Sequence, residues 1–145
     1  MTRVIALDHG SRRIGVAVGD SETGMAFARP AIRRRNLAAD LDTIGMLVRD
    51  EEAALVIVGL PRNMDGSEGP QAAAARDFGE RLAAAGMRIE YADERLTSWQ
   101  AAELLADEGR RVRRASGELD SAAARLILQE YLDAQPPDPT PQETE

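Results

Sequence analysis

Three features of the sequence predict an α/β fold built on a five-stranded mixed sheet. Two runs, Val4-Ile5-Ala6-Leu7 and Leu55-Val56-Ile57-Val58, are wholly apolar and mostly branched at Cβ, as strands buried on both faces are. Three strand-like segments lie within the first 32 residues and are joined by short connections, the pattern of antiparallel hairpins. From Asn36 the apolar period lengthens to that of a helix, and strand and helix patterns then alternate.

The first strand, residues 4–7, leads through a turn around Gly10 and Ser11 to the second, residues 14–18. Residues 19–24 are turn-rich, and residues 25–32 form the third strand. Leu37, Leu41, Ile44 and Val48 then fall on one face of a helix that Asn36 can cap. The fourth strand, residues 55–58, ends at Gly59. A polar loop over residues 60–70 precedes a helix with Ala74, Phe78 and Leu82 inward, closed by Gly86. Residues 88–92 alternate polar and apolar, which fits an edge strand. Thr97 and Ser98 can cap a helix bearing Ala101, Leu104 and Leu105, and residues 109–117 form a basic loop. The final helix, residues 118–133, places Ala123, Ile127 and Tyr131 on one face. The wholly apolar first and fourth strands belong in the middle of the sheet and the alternating fifth at its edge. The order 3-2-1-4-5, with helices on both faces, satisfies this and is the ribonuclease H-like arrangement.

A chain of 145 residues with 43% hydrophobic residues can fill one domain core, here residues 1–133. Residues 134–145 hold four prolines and no large apolar side chain, which predicts a disordered acidic tail. With no cysteine, disulfides, thiolate zinc sites and thiol nucleophiles are excluded. His9 is the one histidine, which argues against a multi-histidine metal site or a Ser-His-Asp triad. No apolar run approaches the roughly 20 residues of a membrane span and no signal-peptide pattern opens the chain, so the expected location is the cytoplasm. The net charge is −7, yet every one of the 18 basic residues is arginine. Taken alone, that balance speaks against a nucleic-acid partner.

The carboxylates speak for one. Asp8 follows the first strand at its carboxyl end, where ligands bind in sheets of this kind. With strands one, four and five parallel, Asp93 and Glu94 lie on the same rim. Asp120 precedes Ala123 by three residues and Ile127 by seven, so it shares the inward face of the last helix. It is either an acid favoured by the helix N-terminus or a ligand facing Asp8 and Glu94. Three carboxylates without cysteine suit hard cations, Mg²⁺ or Mn²⁺, and two such ions can activate a water and stabilise a leaving phosphodiester oxygen. Without an ion, the three would repel and their pKa values would rise.

The other candidates have plainer readings beside the functional ones. His9 reads as a solvated loop residue, Asp20 as a turn former and Trp99 as packing. Asp93 faces away from Glu94 if the segment stays extended. Asn63, Asp65 and Gly66 either build a turn or offer backbone donors to a phosphate. The alanines from Ala72 to Ala75 read as helix formers.

Four motifs in order resemble one family. They are Asp8-x-Gly10-x-x-Arg13-Ile14-Gly15-Val16-Ala17-Val18-x-Asp20, Gly59-Leu60-Pro61-x-Asn63-Met64-Asp65-Gly66-Ser67, Asp93-Glu94-Arg95-Leu96-Thr97, and Asp120-x-Ala122-Ala123-x-x-x-Ile127-Leu128-Gln129-x-Tyr131-Leu132. Together they resemble the YqgF family of pre-16S rRNA nucleases, also described as Holliday junction resolvase-like, over nearly the whole chain except the tail. The resemblance implies a ribonuclease H-like fold and 5′-end maturation of 16S rRNA. Its acidic residues fall on Asp8, Glu94 and Asp120, and Arg13 and Arg95 match family arginines that can contact phosphate or pair with an acid. The chain departs from the family at Gly19, where serine is usual, and in using arginine throughout; neither departure touches an acid.

The leading expectation is therefore a metal-dependent nuclease acting on structured RNA, with catalytic and metal-binding Asp8, Glu94 and Asp120. Junction DNA is the alternative substrate, and a non-catalytic RNA-binding assembly factor the alternative class. An actin-like ATPase would need two such domains. Partners expected are pre-16S rRNA and ribosomal precursor particles, with no membrane. Arg33-Arg34-Arg35 follow the third strand, and Arg110, Arg111, Arg113 and Arg114 crowd the loop before Asp120. That loop is either solvated or in reach of substrate phosphates near the cut, with Asn63 a further substrate contact.

Overall fold

In a computed structural model of the chain, a hairpin of the first two strands sets the frame. Residues 2–61, 65–93 and 118–135 are described, the side chains of 118–120 excepted. The elements are β1 (Arg3–His9), β2 (Arg13–Asp20), β3 (Ala26–Arg33), α1 (Leu37–Glu51), β4 (Ala53–Leu60), α2 (Pro70–Ala84), β5 (Ile89–Asp93) and α3 (Glu118–Ala134). The sheet order is β3-β2-β1-β4-β5, with β1 antiparallel to β2, β2 antiparallel to β3, and β1, β4 and β5 parallel. This is the predicted order, with β5 at an edge. The predicted helix bearing Ala101, the basic loop, Trp99 and tail residues 136–145 lie outside the described residues.

Alternation along the strands sorts the core into two layers. Ile5, Leu7, Ile14, Val16, Val18, Val56, Val58 and Leu60 face α1 and α2, where they meet Ile44, Phe78 and Leu82. Val4, Ala6, Ala17, Leu55 and Ile57 face α3, where they meet Ala124, Ile127, Leu128 and Leu132.

Three packing details differ from expectation. Ala74 is exposed while Ala72 and Ala75 are fully buried, so the inward face of α2 runs through 72, 75, 78, 79 and 82. Gly79 belongs to that face because a Cβ there would lie 2.7 Å from the Tyr91 ring, whose hydroxyl donates to the Arg76 carbonyl at 3.2 Å. On α1, Leu37 is 39% exposed, and the acid Asp40 is buried instead. Asp40 belongs inside because its carboxylate accepts from the Arg35 backbone N–H at 3.1 Å and lies 3.8 Å from the Arg34 guanidinium. Asn36 caps α1 as expected, accepting from the Ala39 N–H at 2.9 Å.

Candidate active site

The parallel strands β1, β4 and β5 end on one rim, and their register fixes what stands there. Leu7 pairs with Val58 and Gly59 with Ala92, so Asp8 lies level with Gly59 and Ala92. On its other side Asp8 pairs with Gly15. All four share the α3 face by alternation with Ala6, Ala17 and Ile57. In the row Gly15–Asp8–Gly59–Ala92, Asp8 alone has a side chain extending beyond Cβ. The carboxylate thus stands half-buried in a row that supplies little bulk of its own.

His9 follows Asp8 and therefore faces the other way. It ends β1 instead of lying in a loop, and it is half-buried, its ring packing 4.8 Å from that of Phe78. Burial pushes its pKa below 6.5, with Arg34 adding to the effect and Asp40 opposing it. Two adjacent residues are thereby divided between a polar site and an apolar layer.

The start of α3 is pinned to the same rim by a hydroxyl. Between Ile14 and Val16 the β2–β3 register shifts, so that Ile14 pairs with Ile32 but Val16 with Arg29. Pro30, which has no N–H to give a ladder, falls in this irregularity on the edge strand. Ser121, buried at 2% exposure, closes the gap. Its Oγ accepts from the Val16 N–H at 3.3 Å and donates to the Arg29 carbonyl at 2.6 Å. Gly15, which precedes Val16, is the partner of Asp8. The backbone of Asp120, which precedes Ser121 in the first turn of α3, is held over this part of the sheet. One further polar tie lies along the helix. Gln129 accepts from the Ala26 N–H at 3.0 Å and donates to the Gly24 carbonyl at 2.8 Å.

Of the three predicted carboxylates, only the Asp8 side chain is within the described residues. Glu94, Arg95, Asn63, Arg110, Arg111, Arg113 and Arg114 lie outside them, as does the Asp120 side chain. Asp93 ends β5 with the parity of Ile89 and Tyr91, on the α2 side and away from Asp8, as alternation predicts. Asp65 builds a turn, one of its two readings from sequence, its carboxylate accepting from the Ser67 N–H at 2.9 Å. The donor chemistry at the rim is carboxylate oxygen, with no cysteine in the chain and the one imidazole turned to the other face. An oxygen donor of this kind fits a hard divalent cation.

Arg13 lies on the Asp8 face, two residues from Gly15 along β2 and so diagonal to Asp8. Diagonal neighbours stand about 7–8 Å apart, within reach of a guanidinium. Arg13 opens onto a groove of about 540 Å³ that Ser11, Arg12, Arg33, Arg34 and Arg35 also line. The sequence marks the 33–35 run, but not its union with Arg12 and Arg13. The signal lay in the hairpin register, which pairs Arg13 with Arg33.

A family model described as RuvX, Holliday junction resolvase, matches residues 2–134. The chain belongs to the RuvX family. Relatives named pre-16S rRNA nuclease include one from Anaeromyxobacter sp. (strain K), 44% identical over 93% of this chain and 99% of its own. Another, from Moorella thermoacetica, is 46% identical over 90% of this chain and 94% of its own. RuvX membership makes the protein a nuclease of the hydrolase class, and the family is the one its four sequence motifs resemble. Among solved structures, T. thermophilus RuvC in complex with a Holliday junction substrate superposes with a TM-score of 0.57. It is 13% identical and matches over 92% of this chain and 95% of that one. The fowlpox virus resolvase, solved with its junction DNA, superposes at 0.55 with 10% identity over 92% and 98% of the two chains. These similarities, with the strand order, place the RuvX-family sheet in the ribonuclease H-like fold.

Proposed function

We propose that the protein hydrolyses phosphodiester bonds of structured RNA with Mg²⁺ or Mn²⁺, and that its reaction is 5′-end maturation of pre-16S rRNA in the cytoplasm. The observation that carries this reading is Asp8: a half-buried carboxylate at the end of a central strand, on the face that α3 covers, with glycines on either side. The names of the relatives support the RNA substrate.

In this reading Asp8, Glu94 and Asp120 hold the cation. β5 ends at Asp93, one residue before Glu94, and the Ser121 hydroxyl ties the first turn of α3 beside Gly15. A bound divalent ion supplies Lewis-acid activation of water and neutralises charge on the phosphate. The chain supplies the rest. Gly15 and Gly59 leave room for a backbone to approach Asp8, and Arg13 orients a phosphate by charge-assisted hydrogen bonds. Arg95, Asn63, Arg110, Arg111, Arg113 and Arg114 add substrate contacts, with ribosomal precursor particles as the setting.

The test is cleavage of a pre-16S leader model with Mg²⁺ by the native protein, Asp8→Asn and Asp120→Asn. Cleavage by the native protein alone is expected; equal activity in all three overturns the assignment. Junction DNA is the second reading, favoured by the description of the matching family model. Assaying four-way junctions beside the leader separates the two. Binding of the leader without cleavage by any of the three would leave an assembly factor.

A further inference from the structure

Four of the seven arginines elsewhere in the described structure are matched with acids, and the other three, Arg49, Arg88 and Arg125, lie on separate parts of the chain. Arg3 and Arg29 share Glu51 at 2.8 and 3.5 Å, Arg76 pairs with Glu68 at 2.6 Å and Arg81 with Asp77 at 3.1 Å. The groove at the β1–β2 turn is different. Five arginines line it, and the one acid paired with any of them among the described residues is the buried Asp40. Arg34 serves the fold itself, because its guanidinium donates to the Gly10 carbonyl at 3.0 Å and leans on Asp40. Arg35 donates to Thr43 at 3.4 Å. Arg12, Arg13 and Arg33 make no ion pair among the described residues.

The backbone concentrates this charge. Arg13 and Arg33 are direct partners on the antiparallel β2–β3 ladder, an arrangement in which like charges repel and destabilise the pair. The turn below is held tight, Gly10 N–H to the Arg13 carbonyl at 2.9 Å, with the Cβ of any other residue at position 10 falling 2.7 Å from that oxygen. Arg34 N–H bonds the Arg12 carbonyl at 2.9 Å, joining the two arginine runs. A rigid concave surface thus holds like charges together at a cost that an anion would offset.

We infer that this groove is a second phosphate-contact surface, which holds the backbone of an RNA duplex flanking the linkage cut at Asp8. Its position follows from Arg13, which belongs to both the groove and the Asp8 face. A duplex backbone fits better than unpaired bases, because single-stranded binders offer aromatic stacking platforms and no aromatic residue lines this groove. Guanidinium forks match phosphate oxygens in pairs. The inference deepens the nuclease reading by naming where substrate outside the cut is held.

Binding of a labelled 20-base-pair RNA duplex in EDTA, followed by anisotropy across a salt series, tests it without cleavage. The triple variant Arg12→Gln, Arg33→Gln, Arg35→Gln should weaken binding at least tenfold and lower the salt slope by about 2–3, at roughly 0.9 for each phosphate no longer neutralised. The matching triple lysine variant should keep most of the slope, and Arg81→Gln all of it. A glutamine variant that binds with native affinity and slope overturns the inference, as does a lysine variant no better than the glutamine one. No duplex binding by the native protein overturns it too. The two readings fail separately. A lowered slope in a protein that cuts nothing leaves the groove and removes the nuclease; native cutting with an unmoved slope does the reverse.

Discussion

The two faces of the sheet are built on different principles. On the α1/α2 face, large side chains interlock: Ile5, Leu7, Ile14, Ile44, Val58, Leu60 and Leu82 are fully or almost fully buried. On the α3 face the sheet mixes Val4, Leu55 and Ile57 with smaller groups, Ala6, Ala17 and glycines, and the helix is fastened partly by hydrogen bonds from Ser121 and Gln129. On the face sealed by bulk the buried acid, Asp40, is committed to Arg34 and Arg35, whereas a face with small residues lets a carboxylate stand at its rim. The bulkiest packing lies on one side and the proposed chemistry on the other.

Asp8 and His9 put this contrast to its most severe test, being neighbours on opposite faces. Asp8→Asn should lower leader cleavage by more than about 100-fold, since even the outer partners of metal ligands are worth 10–100-fold. His9→Leu should leave cleavage within about twofold and cost roughly 0.5–1.5 kcal/mol of stability, because the ring no longer packs against Phe78. If His9→Leu abolishes cleavage in a folded protein, the division between the faces is wrong.

The sealed face predicts the largest stability loss. Leu7 is completely buried among Ile5, Val16, Val58 and Phe78. Leu7→Ala should cost about 2–5 kcal/mol, the transfer term plus the cavity left behind, read as a shift in the urea midpoint. A comparable loss from Ala17→Gly, on the α3 face, would erase the contrast.

Much of this arrangement is legible in sequence because it rests on local patterning. The uninterrupted apolar runs of β1 and β4 announce central strands, the alternation of β5 an edge, and Asp8 stands at the end of its run. Leu37 and Ala74 mislead for a related reason: a helical period identifies a stripe but not its centre, and a buried acid such as Asp40 is invisible until its partners Arg34 and Arg35 are in place. The role of Ser121 is beyond any local pattern. It depends on an irregularity around Pro30 that exposes one N–H and one carbonyl to a helix about ninety to a hundred residues away. The arginine groove is intermediate. Its two runs lie some twenty residues apart, and only the β2–β3 register unites them.

Ser121→Ala should fall between the effects above. It leaves the Val16 N–H and the Arg29 carbonyl without their shared partner, at about 1–3 kcal/mol for buried groups. Cleavage should fall as well, by tenfold or more at a temperature where the variant is folded, because Asp120 precedes the missing anchor and a 1 Å misplacement can cost roughly 100-fold. A stability loss without any loss of rate would confine Ser121 to holding the edge strand.

The smallest effect lies away from both faces, at the opposite end of β2 from the arginines. Asp20 accepts from the Thr23 N–H at 2.7 Å, and this hydrogen bond, aided by the Thr23 hydroxyl, holds its pKa below the ordinary 3.8. A lowered carboxyl pKa stabilises the fold above the unfolded value, and that contribution is lost as pH falls through the lowered folded value. Asp20→Asn should therefore be slightly less stable than the native protein at neutral pH, by about 0.5 kcal/mol for a solvent-screened group. The gap should close as pH drops below 3.8. Cleavage at neutral pH should not change, because this turn lies at the far end of the strand from Asp8 and Arg13. A gap that persists unchanged to about pH 2.5, well below the unfolded carboxyl value, would mean that the turn is held by its backbone shape and not by the charge of Asp20.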